Sequence, residues 1–485
     1  MAIGTLFAAG AACFFLYAVL IPVWNVFFHA LRHVPGPTLW IVFPMLRHIS
    51  SVRGRLDIDM RRFHTQYGEV VRFGPSEVSF ITPDAWKSIY GQLPKVSMSG
   101  SKGIDLLSAD DRNHSRYRKA ISPAFSSRGL QAQEPHITLY VEKLISRLKE
   151  IAESRLPADM AKWYNLTTFD LIGDLAFGQS FGGLDSSEYH YWVSTIFNFV
   201  KVVPFLKFKD AYPVILPLLI AFLPKRFLET HKRQIQYAKE AVHKRLEDKA
   251  AYGRGDFMDS MIRHRGEKDG LSDEELEVNA TLLIFAGSET TATLLSGITY
   301  WLLRSPKAFA KVISEIRAIP TEAEINQYNI TNQLPYMHAC IEEALRLYPP
   351  LPSGPQRRAV VPCQISGYDI PPGTKVSIHQ SAAYWSPTNF HDPQSFIPER
   401  WLPEAKNDPS SPFFSDRRDV LQPFSVGSRN CIGKNLAYLE IRMILARVLW
   451  NFDMELCQES QAWKDQKTYI LWDKPPLMCQ LKLRA

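Results

Sequence analysis

Apolar and polar positions fall into three patterns along this chain, and each predicts a different kind of element. The first is an unbroken apolar run. Residues 1–28 carry no formal charge, and Cys13-Phe14-Phe15-Leu16-Tyr17-Ala18-Val19-Leu20-Ile21 forms the centre of that run. A helix needs about 20 apolar residues to cross the hydrocarbon core of a bilayer, and the run is long enough. The second pattern is helical periodicity, seen as amphipathic stretches at 137–151 and 227–248. A longer apolar stretch opens on Ser272-Asp273-Glu274-Glu275, a capping box. Nothing breaks it before Ser305-Pro306, which predicts a helix about 45 Å long at the usual rise per residue. The third pattern is short and β-rich. Glu69-Val70-Val71-Arg72-Phe73 and Val78-Ser79-Phe80-Ile81 read as a hairpin, and Lys375-Val376-Ser377-Ile378 as a further strand. Leu477, Cys479, Leu481 and Leu483 alternate as a half-buried strand would.

No repeat, low-complexity tract or Gly/Ser linker interrupts residues 39–485. The expectation is therefore one large domain, mainly α with small β-sheets (α+β), behind an anchor at 1–30 and a proline-rich hinge at 31–38. Pro35-Gly36-Pro37 cannot continue a helix and predicts a stiff turn, while Pro22 is expected to kink the anchor helix or end it early. A cleaved signal peptide is the alternative for the first residues. Its apolar core is typically about 7–15 residues behind a basic segment, whereas no Lys or Arg precedes Arg32 here. Arg32, Arg47, Arg53, Arg55, Arg61 and Arg62 follow the run, so the positive-inside rule places the amino terminus across the membrane and the remainder in the cytoplasm. The uncharged stretch 211–223, broken by Pro213 and Pro217, is too short to span a bilayer. It reads equally as a core loop or as a lipid-dipping element flanked by Lys207, Lys209, Lys225 and Arg226.

Composition narrows the class. Hydrophobic residues at 46% and charged residues at 22% exclude a disordered chain and a multi-pass membrane protein. A net charge of +7 suits an acidic protein partner or an anionic membrane surface better than nucleic acid. The six cysteines stand singly with no CxxC pair, which argues against a disulfide framework or zinc ribbon and for a reducing compartment.

One cysteine is set apart. Cys431 lies in Phe424-Ser425-Val426-Gly427-Ser428-Arg429-Asn430-Cys431-Ile432-Gly433, ahead of a helical pattern from Lys434 to about Trp450. Gly427 permits a tight turn, and Gly433 lets the helix approach something flat and bulky. A cysteine at a helix N-terminus, with Arg429 nearby, is expected to be stabilised as a thiolate. A thiolate can serve as nucleophile or metal ligand. No histidine base is close in sequence and one cysteine cannot hold zinc alone, whereas heme iron needs one proximal protein ligand.

With Phe424, Gly427, Arg429, Cys431 and Gly433 in place, the loop resembles FxxGxRxCxG, the heme-binding signature of the cytochromes P450. Further segments follow the order of that family. Ala286-Gly287-Ser288-Glu289-Thr290-Thr291, midway along the predicted long helix, is similar to the oxygen-binding motif AGx(D/E)T. Taken alone it could be a close helix crossing beside a solvent-facing acid; the resemblance instead implies a local widening at Ala286 and Gly287, with Thr290 hydrogen-bonding bound oxygen and Glu289 relaying protons. Glu343 and Arg346 match ExxR, and Phe396-Ile397-Pro398-Glu399-Arg400-Trp401 matches the PERF-type segment, with Trp401 where Phe is commoner. An acid and base three apart on a helix are usually a weak surface pair; the resemblance implies that Glu343, Arg346 and Arg400 form a buried ion network for folding and heme retention. His114 and Arg118 occupy the positions of WxxxR, whose aromatic residue and arginine contact a heme propionate. On their own they read as solvent-facing helix residues. Arg357 and Arg358 both fall near the position of another propionate-binding arginine, and the resemblance implies that role for Arg357. Asn279-Ala280-Thr281 matches a glycosylation pattern yet lies inside the predicted helix.

The likeness spans essentially the whole chain and implies the cytochrome P450 fold around heme b with Cys431 as axial thiolate. It implies a monooxygenase that inserts one oxygen atom of O2 into a C–H bond of a lipophilic small molecule, in terpenoid or polyketide secondary metabolism. Electrons would come from NADPH through a separate flavoprotein reductase, with the chain held at the endoplasmic reticulum by its single anchor. A hydroperoxide isomerase needing no electrons, a non-catalytic heme or apolar-ligand carrier, and a heme-free helical protein are the rival readings. The pocket should draw on 96–111, 197–222 and the helix around Phe285.

Overall fold

The computed structural model describes residues 19–94, 104–212, 225–248, 252–267 and 269–484 of the chain. The helices that frame the site are α1 (Asp111–Ile121), α2 (Ser127–Ser154), α3 (Met160–Phe177), α4 (Tyr191–Ala211), α5 (Asp273–Leu303), α6 (Pro335–Leu347) and α7 (Lys434–Asn451). The amphipathic stretch 137–151 lies within α2, and 227–248 falls on a helix over Lys225–Glu247. Residues 213–224, most of the proline-broken stretch, and 95–103, half of one predicted pocket segment, lie outside the described residues.

The centre of the fold is α5, and the capping box starts it as expected. Ser272 Oγ accepts the Glu275 N–H at 3.2 Å while the Glu275 carboxylate accepts the Ser272 N–H at 2.9 Å, satisfying donors that a helix start leaves open. The helix is long and apolar enough to cross a membrane, but it is a core helix buried among its neighbours. Against it lies α3, in which every residue except Lys162 is buried. Small and hydroxylated residues make this close crossing possible. Tyr164 and Thr299 share a hydrogen bond of 2.9 Å, Ser288 donates to the Thr168 carbonyl at 3.1 Å, and a Cβ added to Gly287 would sit 3.3 Å from Ile172. Asn279 is fully buried; it accepts the Leu106 N–H at 2.8 Å and so pins the 104–108 loop to α5.

Among the described residues, three small sheets flank the helices. The first holds β1 (Val70–Gly74), β2 (Glu77–Phe80), β4 (Arg357–Arg358) and β7 (Lys375–Ile378) in the order β1-β2-β7-β4. The predicted hairpin pairs Val70 with Phe80, β2 runs parallel to β7, and β4 pairs antiparallel with β7 through Arg357 and Val376. The second has β9 (Met478–Leu483) between β3 (Ala158–Asp159) and β8 (Phe452–Leu456); β5 (Cys363–Ile365) and β6 (Tyr368–Ile370) form a two-stranded ribbon. The alternation predicted for β9 holds at Cys479 and Leu481, both buried, but Leu483 is 43% exposed. Only Met478 and Cys479 of β9 are paired on the β3 side, so the end of the strand is left open there.

The amino-terminal helix does not stop at Pro22. It continues through it and widens into a π-helical turn over Trp24–Phe28. Beyond it the proline-rich segment lies against the first sheet, with Leu31 and Val34 buried among β-strand residues. The Arg72 N–H donates to the Pro35 carbonyl at 2.8 Å, and a Cβ on Gly36 would lie 1.9 Å from the Arg72 carbonyl oxygen. Glycine is required there by this close approach.

Candidate active site

The cysteine loop is shaped by its backbone. The Cys431 N–H donates to the Phe424 carbonyl at 2.9 Å, closing the loop. Gly427 has φ +81°, and a Cβ there would lie 2.4 Å from the Tyr90 carbonyl oxygen, so no other residue fits. Gly433 caps α7 with an ordinary φ of −84°, and a Cβ there would make only normal contact with Phe125. The protein's own atoms therefore do not demand glycine at 433. The Phe424 ring packs on Tyr438 at 5.2 Å between centroids.

Cys431 keeps accessible surface although protein atoms crowd around it. That crowding pushes its thiol above the usual range, against a hydrogen bond from the Gly433 N–H and the cations Arg118 and Lys434. The expected thiolate stabilisation is thus present in sign but outweighed by desolvation in the chain by itself. The arginine expected beside the sulfur also turns elsewhere. Arg429 donates to the Asp111 carboxylate and to the Ala109 carbonyl, each at 2.8 Å, because α1 starts directly opposite it.

A basic cluster gathers around that start. Hydrogen bonding from Arg429, with the charges of His114 and Arg357, holds the Asp111 carboxyl below the usual carboxylate range. His114 is buried, and Arg118 donates to Asn430 at its carbonyl (2.8 Å) and side-chain oxygen (2.6 Å), bracing the residue before Cys431. Arg357 is distinct. Strand alternation buries it while Arg358 points to solvent, its guanidinium lies 5.3 Å over the Tyr90 ring, and Nη1 is buried with no hydrogen-bond partner among the described residues. Tyr90 thus touches both Gly427 and Arg357. An unpaired buried guanidinium is costly unless an anion completes it. The accessible thiol of Cys431, a basic cluster and the buried Arg357 together fit an iron porphyrin with carboxylate side chains.

On α5 the sequence motif divides between two roles. Ala286 is exposed in the middle of a core helix and Thr290 is half-buried, whereas Gly287 and Ser288 face α3 and serve the helix crossing. The helix is not broken at the expected widening; instead the Thr290 hydroxyl donates to the Ala286 carbonyl at 2.5 Å. Glu289 is buried and salt-bridged to Lys474, which also donates to Thr293 Oγ1 at 2.6 Å. Burial pushes the Glu289 carboxyl up, with Lys474 opposing. Where α5 meets α7, the Thr291 hydroxyl faces the buried carboxyl of Glu440.

The expected ion network is complete and fully buried. Arg346 donates to both Glu343 oxygens at 2.7 and 2.9 Å and to three backbone carbonyls, and Arg400 reaches Glu343 at 3.2 Å and Asp416 at 2.5 Å. Burial alone would raise the Glu343 carboxyl, but Arg346 and Arg400 outweigh it and leave it lowered. The departure at Trp401 has a cause: its indole N–H donates to Glu343 Oε2 at 2.8 Å, a bond phenylalanine cannot make. Sequence reasoning missed Asp111, Asn430, Asp416 and Lys474; each is joined to its partner by the fold rather than by a motif.

The comparisons agree with this geometry. The family model described as cytochrome P450 matches residues 34–481. The chain is 57% identical over 475 residues to cytochrome P450 monooxygenase olcB of Penicillium canescens, covering 97% of each protein. It is 54% identical to the trichothecene C-4 hydroxylase of Trichoderma arundinaceum, over 95% of this chain and 93% of that protein. The averantin hydroxylase of Dothistroma septosporum is 40% identical, over 99% of this chain and 92% of its own length. With the cysteine loop, the buried ion network and the motif on α5 all present in one fold, the chain belongs to the cytochrome P450 family and is a heme-thiolate monooxygenase.

Proposed function

We propose that Cys431 is the iron ligand and that Arg357, Arg429, His114 and Arg118 hold the porphyrin's carboxylate edge, with Phe424, Gly427 and Gly433 shaping the surface on which it rests. The observation that carries this assignment is the buried, partnerless Nη1 of Arg357 beside the cysteine loop. Bound there, heme supplies the oxygen-activating chemistry of the family. The chain's own residues do the rest. Ala286 leaves room on α5 while Gly287 lets the helix pack closely on α3, Thr290 presents a hydroxyl beside that space, and Glu289 holds or releases a proton behind it.

The substrate is a lipophilic secondary metabolite, and the reaction is hydroxylation at one C–H bond. Kinship with a trichothecene C-4 hydroxylase makes terpenoids the first class to test, and kinship with an averantin hydroxylase makes polyketides the second. Residues 1–30 act as a single-pass anchor in the endoplasmic reticulum membrane, of which the apolar helix Val19–Phe28 is the described part. Residues 31–38 lead from it to a cytoplasmic catalytic domain over 39–485. An NADPH-dependent flavoprotein reductase supplies the electrons, drawn to the chain by its +7 charge.

The test is turnover of the full chain with reductase, NADPH and isotopically labelled O2 over a panel of terpenoids, polyketides and fatty acids, read by product mass spectrometry. One labelled oxygen in the product is expected. Product formed without NADPH would indicate an isomerase instead, and a Cys431→Ser protein with an unchanged heme spectrum and turnover would overturn the site.

A further inference from the structure

Tyr90 lies where the first sheet meets the cysteine loop. It is buried in a π-helical turn over Lys87–Gly91 that follows the short helix Pro83–Trp86. Such turns are rare and occur frequently at functional sites. Separate parts of this one residue meet separate segments of the chain. Its carbonyl closes on Gly427, where a Cβ would lie 2.4 Å away. Its hydroxyl accepts the Ile378 N–H at 3.1 Å at the end of β7, and a Cβ on Gly354 would sit 2.4 Å from the same oxygen. Its ring face lies under Arg357, with the guanidinium carbon 5.3 Å from the ring centroid. The ring is itself held by Trp86 at 5.1 Å between centroids, and the Trp86 indole N–H donates to the Val420 carbonyl at 2.8 Å.

Arg357 needs such a support. Its Nη1 has no hydrogen-bond partner among the described residues, and Arg429 repels it. Asp111, the acid that acts on it, is hydrogen-bonded to Arg429 instead. Burial pushes the Tyr90 hydroxyl up to about 12, so the ring stays a neutral phenol. What it offers the cation is the negative face of its π-system. A carboxylate in that place would neutralise the guanidinium and occupy its N–H groups, whereas a ring face attracts the cation and leaves those donors uncommitted. We propose that Tyr90 is a positioning residue for the cofactor: its ring fixes the Arg357 guanidinium in place while keeping Nη1 available to a heme carboxylate. This rests on the reading of Arg357 as a cofactor-binding arginine and adds what holds it there.

The test measures heme release from the full-length holoprotein to a heme-scavenging globin. Arg357→Ala and Tyr90→Leu should each release heme about tenfold faster than wild type, the factor that a desolvated cation–π contact supplies. Tyr90→Phe keeps the ring and should stay within about twofold, although the Ile378 N–H loses its acceptor and the unfolding midpoint falls. In an Arg357→Ala background, Tyr90→Leu should add less than about twofold, because the ring then has no guanidinium to hold. A trifluorinated phenylalanine at position 90 keeps the ring in place while draining its face of electron density. It should release heme about fivefold faster than Tyr90→Phe, and it carries the test should Tyr90→Leu not fold. Equal release from the fluorinated and plain phenylalanine proteins would overturn the role of Tyr90 while leaving Arg357 as a cofactor arginine. The same acceleration by Tyr90→Leu with and without Arg357 would do likewise. If Arg357→Ala alone releases heme at the wild-type rate, the reading of Arg357 falls, and the role of Tyr90 with it.

Discussion

Arg72 Nη1 donates to the carbonyl of Asn25 at 2.9 Å, joining the apolar amino-terminal helix to strand β1 of the catalytic domain. The remaining nitrogens of the same guanidinium donate to Pro75 at 3.1 and 2.7 Å, and the side chain is 1% exposed. Burial lowers its pKa to about 10, so it stays charged at neutral pH. The chain is thus clamped at Asn25 in the helix and at Pro35 in the proline-rich segment, and the helix leaves the domain at a set angle. Replacing Arg72 with Ala strands the buried Asn25 carbonyl and removes both donors to the half-buried Pro75 carbonyl. An Arg72→Ala protein should lose about 2–3 kcal/mol of unfolding free energy and be cut several-fold faster by protease between residues 25 and 36. Urea unfolding and limited proteolysis of the full chain check both outcomes.

Trp401 supplies one of the donors that keep Glu343 ionised in a dry site. Without it, Glu343 Oε2 retains only the Arg346 Nε bond at 2.9 Å. A Trp401→Phe variant should lose about 1–2 kcal/mol in stability while keeping its heme spectrum, because the two arginines still neutralise the acid. Glu343→Gln should be far worse, since it leaves Arg346 and Arg400 buried without their shared anion. Comparing the unfolding midpoints of the two variants separates a lost hydrogen bond from a lost charge.

These two cases show what the sequence makes legible. The Cys431 loop, the ExxR pair and the capped central helix depend on spacing within a turn or two of chain, so residue order alone reveals them. The partners that complete them come from far away: Lys474 reaches Glu289 across 185 positions, and Asp111 reaches Arg429 across 318. No local pattern carries such a pairing. The same limit explains why Gly287, which sits in the oxygen-binding motif, proves to face Ile172 at the α3 crossing. It also explains why Arg429 turns from Cys431 toward the start of α1.

Glu440 makes stability depend on pH. Its carboxyl is buried in the α5–α7 interface, and desolvation pushes its pKa up to about 8, with Thr291 offsetting this only in part. An unfolded glutamic acid titrates near about 4.3. Between those values the folded chain holds a proton that the unfolded chain has released, so folding is favoured at the acid end. That contribution is full below the unfolded pKa and is lost as pH rises toward the folded one, at up to about 1.4 kcal/mol per pH unit. Glu440→Gln should remove the slope, matching wild type below the unfolded pKa of about 4.3 and exceeding it near pH 8. Unfolding midpoints across that pH range test the sign directly; a wild-type slope that persists in the variant assigns it to another group.

Arg357 and Arg358 offer an internal control for the cofactor site, because adjacent residues on β4 point to opposite faces. Arg357 is 3% exposed with an unpaired Nη1, and Arg358 faces solvent. If a porphyrin carboxylate completes Arg357, losing that charged hydrogen bond should cost about 1.5–3 kcal/mol of cofactor binding, which corresponds to roughly tenfold or more in heme release. Arg357→Ala should therefore purify with less heme and give it up faster to a heme-scavenging globin. Arg358→Ala should behave as wild type in both respects. The heme-free protein supplies the second half of the argument. There the buried guanidinium has the Tyr90 ring but no anion beside Nη1, so its removal should leave the unfolding midpoint unmoved or raise it. Heme affinity that falls while apoprotein stability does not is the signature of a residue placed for the cofactor. A fall in both would make Arg357 a structural residue of the first sheet.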